Sequence, residues 1–121
     1  MGVLRQITVL VLLAAACAPV APQGTELAAT PAPNFTLTEA LSGSELRLGS
    51  LRGRVVVLSF LHTHFPDTCP LTADRFREAQ KMLGADATKV AFVAVSVDPV
   101  GDTAESVRAF TRDHRLEQGW H

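Results

Sequence analysis

Two apolar runs in the middle of the chain are the clearest signal in its pattern of hydrophobic and polar positions. Val55–Leu61 and Lys89–Val97 are almost continuously hydrophobic. Strands with one solvent-exposed face alternate between apolar and polar residues, whereas strands buried on both faces of a parallel sheet do not. Both runs are therefore predicted to be strands of a parallel sheet, with Val55–Leu61 inside it.

A helical pattern follows the first run. Proline suits the start of a helix and glycine suits the position after its last turn, which predicts a helix over Pro70–Leu83 that ends at Gly84. Its predicted apolar face comprises Thr72, Phe76, Ala79 and Leu83.

The stretch Asp102–Glu105 resembles a capping box, in which side chains satisfy the free N–H groups at the start of a helix. A second helix is therefore predicted after the second run, with His114 as a structural residue. Its predicted apolar face comprises Ala104, Val107, Phe110, Thr111 and His114.

Shorter alternating segments precede the first run. Phe35–Thr38 and Glu45–Leu48 alternate and are separated by Ser42–Ser44, a pattern typical of a small hairpin. The predicted order is hairpin, strand, helix, strand, helix. Strands that alternate with helices favour right-handed parallel crossovers and an α/β fold.

Composition limits the chain to a small domain. It has 121 residues and a formal net charge of −1. A charge this close to zero favours neither a nucleic acid nor an anionic surface as a partner, and no nucleic-acid binding is predicted.

The N-terminus resembles a secretory signal. Arg5 provides a positive start, and Ile7–Ala16 is an apolar stretch too short to span a bilayer as a stable helix. Its end, Leu13–Cys17, resembles a bacterial lipobox, in which Cys17 would carry the lipid. An ordinary cleaved signal with an incidental cysteine is the alternative.

The chain is accordingly divided into a signal peptide (1–16), a Pro/Ala-rich tether (17–33) and a domain (34–121). We expect an exported protein, lipid-anchored to the membrane and facing the periplasm or the cell exterior. With Cys17 lipidated, Cys69 has no internal disulfide partner in that oxidising compartment.

Cys69 is the first candidate for chemistry, because it lies at the predicted start of a helix. Exposed N–H groups and the helix dipole favour the thiolate there, which is a nucleophile and a soft ligand for Cu(I). A small apolar residue packed beneath the loop is the alternative. Asp67 is predicted either to tune this thiol or to accept N–H groups at the helix start.

His62 and His64 are candidate metal ligands. Residues two apart in an extended chain point to the same side, and Cys69 follows across the loop. A His-His-Cys set suits copper, or zinc with an open position. A purely structural role for both histidines is the alternative.

The succession of strand, loop, Cys-Pro and helix resembles a thioredoxin-type active site. The surrounding residues include Phe60, Thr63-His64, Pro66-Asp67, Cys69-Pro70-Leu71, Ser96-Val97-Asp98-Pro99 and Asp102-Thr103. They resemble the Sco/SenC family of copper chaperones, which assemble cytochrome c oxidase. The resemblance implies a thioredoxin-like fold, copper as the metal and a cytochrome c oxidase subunit as the partner.

One departure from the family pattern concerns the chemistry itself. The family carries two cysteines spaced C-x-x-x-C, whereas here Phe65 stands at the first position and Cys69 at the second. Paired-thiol chemistry is therefore excluded, and a degenerate copper chaperone or thiol-redox protein is predicted. The family also uses a distal histidine, a role that is not assigned to His121.

The resemblance covers only the front of a thioredoxin-like domain, which would continue with two more strands and a helix. A partial fold is expected, with an unpaired edge on Val55–Leu61 and an exposed Trp120. A truncated chain is one interpretation, and a short variant completed by a partner or by self-association is another.

Two other functions stay open from the sequence. Thr63 and Pro66 precede Cys69, which loosely resembles a single-cysteine thiol peroxidase or exchange protein. A nonfunctional remnant is the second alternative. Whether the chain is an enzyme is left undecided, with a non-catalytic role favoured.

Overall fold

The computed structural model describes residues 23–116 and 119–121. Residues 1–22, which include the predicted signal peptide and Cys17, lie outside the described residues. Pro33–His121 forms one compact unit. Residues 23–32 are exposed and belong to a different unit.

The predicted order of elements is confirmed over the described residues. Its helices and strands are β1 (Thr36–Thr38), β2 (Glu45–Arg47), β3 (Val55–Leu61), α1 (Thr68–Leu83), β4 (Val90–Ser96) and α2 (Ala104–Asp113), with short 3-10 turns at Leu48–Leu51 and Gly84–Lys89. In this part of the chain, no helix has both the length and the apolar character needed to cross a membrane.

The β1–β2 hairpin is antiparallel, and the β3–β4 pair is parallel with α1 as the crossover. Strand β4 alternates between the two faces of the pair. On one face Ala91 and Val93 are buried against Leu46 and Leu51, so the hairpin and the turn after it cover that face. On the other face Phe92 contacts Phe76 of α1, with ring centroids 5.6 Å apart.

The end of the described chain pairs with β4 along its second edge. Phe92 N–H donates to Gly119 O at 3.0 Å, and His121 N–H donates to Phe92 O at 2.8 Å. A further bond from Ala94 N–H to His121 O, at 2.8 Å, extends this parallel pairing. Residues 119–121 thus form a short parallel pairing with β4 through an isolated bridge, a pairing that was not predicted from the sequence.

Trp120 is half-buried, so the expectation that it is exposed was wrong. Its ring stacks on Phe92 with a centroid distance of 5.6 Å, and it also lies 5.6 Å from Phe76. Its Nε1–H donates to Gln80 Oε1 at 3.2 Å. The aromatic ring therefore closes the α1 side of the core, because the backbone pairing with β4 holds it there.

Strand β3 is less buried than its continuous apolar run predicted. Val55 is 63% exposed and Phe60 is 66% exposed, while Leu61 is the buried residue of this strand. Among the described residues, β3 pairs with β4 and with no strand on its other edge. The expected unpaired edge is confirmed, and it explains the exposure.

Helix α1 begins at Thr68, two residues before the predicted start. Pro70 is tolerated inside the first turn because the N–H groups there lack helical partners anyway. The side chain of Asp67 makes no capping hydrogen bond. The predicted stop is confirmed, since Gly84 has φ of +54° and its N–H bonds to Lys81 O.

The buried face of α1 is displaced from the predicted one. Cys69 and Ala73 are its buried residues, whereas Leu83 is exposed. Phe76 was placed correctly. The predicted helix began at Pro70, so Cys69 lay outside it, and the small side chain of Ala73 did not mark the face by itself.

Helix α2 begins one residue later than the predicted capping box. Thr103 is the capping residue, and its Oγ1 accepts the Ser106 N–H at 3.2 Å. Asp102 therefore does not cap this helix, and its carboxylate can accept hydrogen bonds from other groups. The ring of His114 packs on Phe110 with centroids 4.4 Å apart, in keeping with its predicted structural role.

A side-chain hydrogen bond joins the hairpin to the end of the described chain. Glu39 Oε1 lies 2.8 Å from His121 Nδ1, and Glu39 Oε2 accepts the hydroxyls of Ser42 and Ser44 at 2.7 and 2.8 Å. The pKa of Glu39 is lowered to about 2, mainly by the hydrogen bond from the Ser42 hydroxyl and then by His121 and Ser44. Burial acts in the opposite direction.

Replacing Trp120 with alanine should lower the free energy of unfolding by about 3 kcal/mol, the lower end for aromatic truncation in a core, because the ring is half-buried. Urea unfolding followed by circular dichroism measures the change. Met82→Ala is the control, since that side chain is 89% exposed and should change stability by less than about 0.5 kcal/mol. Equal losses in the two variants would contradict the packing role of Trp120.

The lowered pKa of Glu39 predicts acid sensitivity. Because the pKa in the folded state lies below the ordinary value of 4.5, the carboxylate stabilises the fold above that pH. This stabilisation is lost as the pH falls toward 2. Between these limits, the stability difference between the parent chain and Glu39→Gln should shrink by roughly 2 kcal/mol, allowing for partial exposure.

Urea titrations from pH 2 to pH 6 measure this difference. Glu45→Gln is the matched control, because Glu45 forms an exposed pair with Arg47 at 2.8 Å. The hydrogen-bonding account of Glu39 fails if its difference from the parent chain does not vary with pH, or if Glu45→Gln behaves identically.

Candidate functional site

The candidate site lies at the carboxyl ends of β3 and β4, which are side by side. Leu61 and Ser96, their last residues, are register partners. In open α/β sheets, ligands bind at this edge of parallel strands. The loop after β3 contributes His62, Thr63 and His64 to this site, and the loop after β4 contributes Asp98 and Asp102.

Asp102 connects the two loops. Its side chain is 1% exposed. Oδ1 accepts the backbone N–H and the hydroxyl of Thr63, at 2.9 and 2.6 Å, and Oδ2 accepts the Ser96 hydroxyl at 2.6 Å. A single carboxylate thus joins the chain after β3 to the end of β4.

This carboxylate is ionised although it is buried. Burial by itself raises the pKa of Asp102, but the hydrogen bonds from Ser96 and Thr63, together with the charge of His62, outweigh it and hold the pKa at about 2. At neutral pH the site therefore contains a fixed negative charge shielded from water.

Both candidate histidines face this charge. His62 Nδ1 lies 3.3 Å and His64 Nδ1 lies 3.7 Å from Asp102 Oδ1, and the two ring centroids are 5.5 Å apart. His64 Nδ1 is also 3.1 Å from the Thr63 hydroxyl. His62, His64 and Asp102 each offer one ligand atom, and these three atoms all lie within 4.8 Å of one another.

A second carboxylate borders the site. Asp98 Oδ2 lies 3.8 Å from His62 Nδ1, and Asp98 Oδ1 accepts the Gly101 N–H at 3.0 Å. The side-chain position of Asp98 depends on glycine here, because a Cβ at residue 101 would collide with its carboxylate.

Cys69 is described in the structure and does not belong to this group. It is buried and forms no disulfide within the described chain. Its Sγ accepts the backbone N–H of His62 at 3.4 Å, so it packs beneath the loop. Phe65, at the first position of the C-x-x-x-C spacing, is 49% exposed and its N–H donates to His62 O at 3.2 Å.

The structure therefore brings together two residues of the predicted His-His-Cys set and adds Asp102, which the sequence analysis placed in a helix cap. One signal was available: Asp102 follows the strand predicted to neighbour β3. The sequence could not specify the partner, because only the parallel register brings Asp102 back onto Thr63, across 39 residues of chain.

A family model described as SCO1/SenC matches residues 23–117, well over half of the chain. The chain belongs to the SCO1/SenC family. The resemblance noted from the sequence is thus confirmed. A SCO1 protein homolog of Bacillus subtilis (strain 168) is 30% identical over 74 residues, which are 61% of the chain and 38% of the relative.

Solved structures of the family are also similar. A SCO1/SenC family lipoprotein from Bacillus anthracis str. Ames gives a TM-score of 0.64 at 29% identity, covering 73% of this chain and 52% of that one. ScoI of Bradyrhizobium japonicum, solved with copper bound, gives 0.64 at 30% identity, with coverages of 73% and 54%.

BsSco, described as a member of the Sco family of cytochrome c oxidase assembly proteins and reported with a disulfide switch, gives a TM-score of 0.63 at 28% identity. The matched region covers 73% of this chain and 51% of BsSco. The predicted thioredoxin-like, partial α/β fold is confirmed, and the chain spans about half the length of these structures.

Thr63→Val should lower the free energy of unfolding by about 1.5–3 kcal/mol, because it removes a hydrogen bond to an ionised, buried carboxylate. Thr72→Val is the matched control, since its hydroxyl donates to Thr68 O on an exposed helix surface. Urea unfolding in the presence of a chelator gives both values. Equal effects would argue against Asp102 as the connection between the loops.

Proposed function

We propose that the chain is an exported, lipid-anchored protein that handles copper during the assembly of cytochrome c oxidase, with its thiol chemistry reduced to a single cysteine. Family membership supports the oxidase and copper assignments. One relative is solved with copper bound, another is described among cytochrome c oxidase assembly proteins, and a third is described as a lipoprotein.

The observation that carries the reduced chemistry is the pair Phe65 and Cys69. A soft ion such as Cu(I) selects thiolate ligands, and a disulfide needs two sulfurs. Here an aromatic ring takes the place of one sulfur, and the other sulfur is buried under the loop. Copper(I) should therefore bind weakly, as a transient cargo.

A partner surface is available beside the site. Exposed apolar side chains flank the loops after β3 and β4: Phe65 is 49% exposed, Val97 is 61% exposed and Val100 is 87% exposed. Apolar residues of this kind at a site rim are typical of protein contacts, and we assign this rim to an oxidase subunit.

The anchor is assigned to Cys17, which together with residues 18–33 would connect the domain to the membrane surface. The net charge of −1 gives no support for a nucleic-acid partner. Burial of Cys69 argues against the single-cysteine peroxidase, since a reactive thiol has to be reached by its substrate.

Restoring the second thiol tests this function. In the full chain carrying Cys17→Ser, Phe65→Cys should raise the affinity for Cu(I) by about 100-fold or more, since it supplies a second soft ligand. Competition against a chromophoric Cu(I) chelator under reducing conditions measures the affinity. A further Cys69→Ala change should remove the gain.

Phe60→Cys is the matched control, because Phe60 is a 66% exposed phenylalanine outside the Cys69 loop. It should leave the Cu(I) affinity unchanged. The reduced-thiol proposal is overturned if the parent chain already binds Cu(I) as tightly as the Phe65→Cys variant, or if Phe60→Cys produces the same gain.

A further inference from the structure

The group His62, His64 and Asp102 brings two imidazole nitrogens and one carboxylate oxygen together. The backbone N–H and the hydroxyl of Thr63 already serve the two lone pairs of Asp102 Oδ1. His62 Nδ1 and His64 Nδ1 approach the same oxygen at the longer distances of 3.3 and 3.7 Å. Four donor or acceptor atoms thus crowd one carboxylate oxygen.

The same three atoms can also hold a cation. With its proton on Nδ1 a neutral histidine donates to the carboxylate, and with its proton on Nε2 it carries a lone pair on Nδ1. A cation among the three atoms would accept electron pairs from both nitrogens and from the oxygen.

The distances suit such a cation. Zinc bonds to histidine nitrogen and to carboxylate oxygen are about 2.0–2.2 Å long, so neighbouring ligand atoms in a tetrahedral site lie about 3.3–3.5 Å apart. The separations of 3.3 and 3.7 Å between the histidine nitrogens and Asp102 Oδ1 are close to this spacing, and all three ligand atoms lie within 4.8 Å of one another.

We propose that His62, His64 and Asp102 form a binding site for a divalent ion of borderline softness, Zn(II) or Cu(II), that does not use Cys69. The donor set consists of two imidazole nitrogens and one carboxylate oxygen. Such nitrogen and oxygen ligands suit Zn(II) and Cu(II), whereas Cu(I) selects sulfur. The site thus goes beyond the thiol chemistry of the proposed function and does not depend on it.

The surroundings of the three residues have features that metal sites need. Ser96 holds the second oxygen of Asp102 at 2.6 Å, which fixes the carboxylate in the way that outer hydrogen bonds fix metal ligands. The side chain of His64 is 57% exposed, so an ion can enter from solvent. Asp98 Oδ2, at 3.8 Å from His62 Nδ1, is within reach as a fourth ligand.

The test uses the full chain carrying Cys17→Ser, purified without metal. Co(II), a spectroscopic substitute for Zn(II), is titrated and its visible absorption is recorded, and Zn(II) is then added in competition. We expect saturation at one equivalent, with absorption bands of nitrogen and oxygen ligation and no sulfur charge-transfer band. His62→Ala and His64→Ala should each weaken binding by at least about tenfold.

Two matched controls separate the site from other ligands. His114→Ala removes a histidine at the end of α2, outside the group, and should leave the affinity within about twofold, since additivity holds for distant sites. Cys69→Ala should also leave it unchanged. His64→Ala, at an exposed side chain, keeps the test valid if Asp102→Asn fails to fold.

The proposal is overturned by any of three results: no saturable Co(II) binding, binding that survives both histidine substitutions, or binding that is lost with Cys69→Ala. These results are independent of the Cu(I) competition, which reports on Phe65 and Cys69. Failure of one proposal therefore leaves the other to be judged separately.

Discussion

The ionised carboxylate of Asp102 is buried between the loops that follow β3 and β4, and the geometry of the candidate site depends on it. A buried charge is costly unless donors surround it, and here Thr63 and Ser96 supply three short hydrogen bonds. The same bonds fix the path of the chain after β3. They thereby bring two histidines to one point, while Cys69 Sγ accepts the backbone N–H of His62.

This arrangement separates two kinds of chemistry that lie close together in the chain. The thiol of Cys69 is on the first turn of α1 and is buried against the backbone of His62. The imidazoles and the carboxylate face each other above it. Phe65 occupies the other position of the C-x-x-x-C spacing, so the described loop offers one thiol, while nitrogen and oxygen donors are gathered beside it.

The sheet that supports the site is paired unequally. Strand β4 has partners on both edges, and Phe92 anchors an aromatic cluster with Phe76 and Trp120. Strand β3 has a partner on one edge among the described residues, and its apolar side chains are correspondingly exposed. The strand paired on both edges is thus β4, and Asp98 and Asp102 follow its end.

Local patterns in the sequence determined the order of elements, the stop of α1 at Gly84 and the Cys-Pro loop, because these depend on residues close together in the chain. Tertiary structure decided the rest. The burial of Trp120, the exposure of β3 and the partnership of Asp102 with Thr63 arise from pairings between distant segments. Hydrophobic periodicity contains no information about such pairings, since it reports which face is apolar and not what covers it.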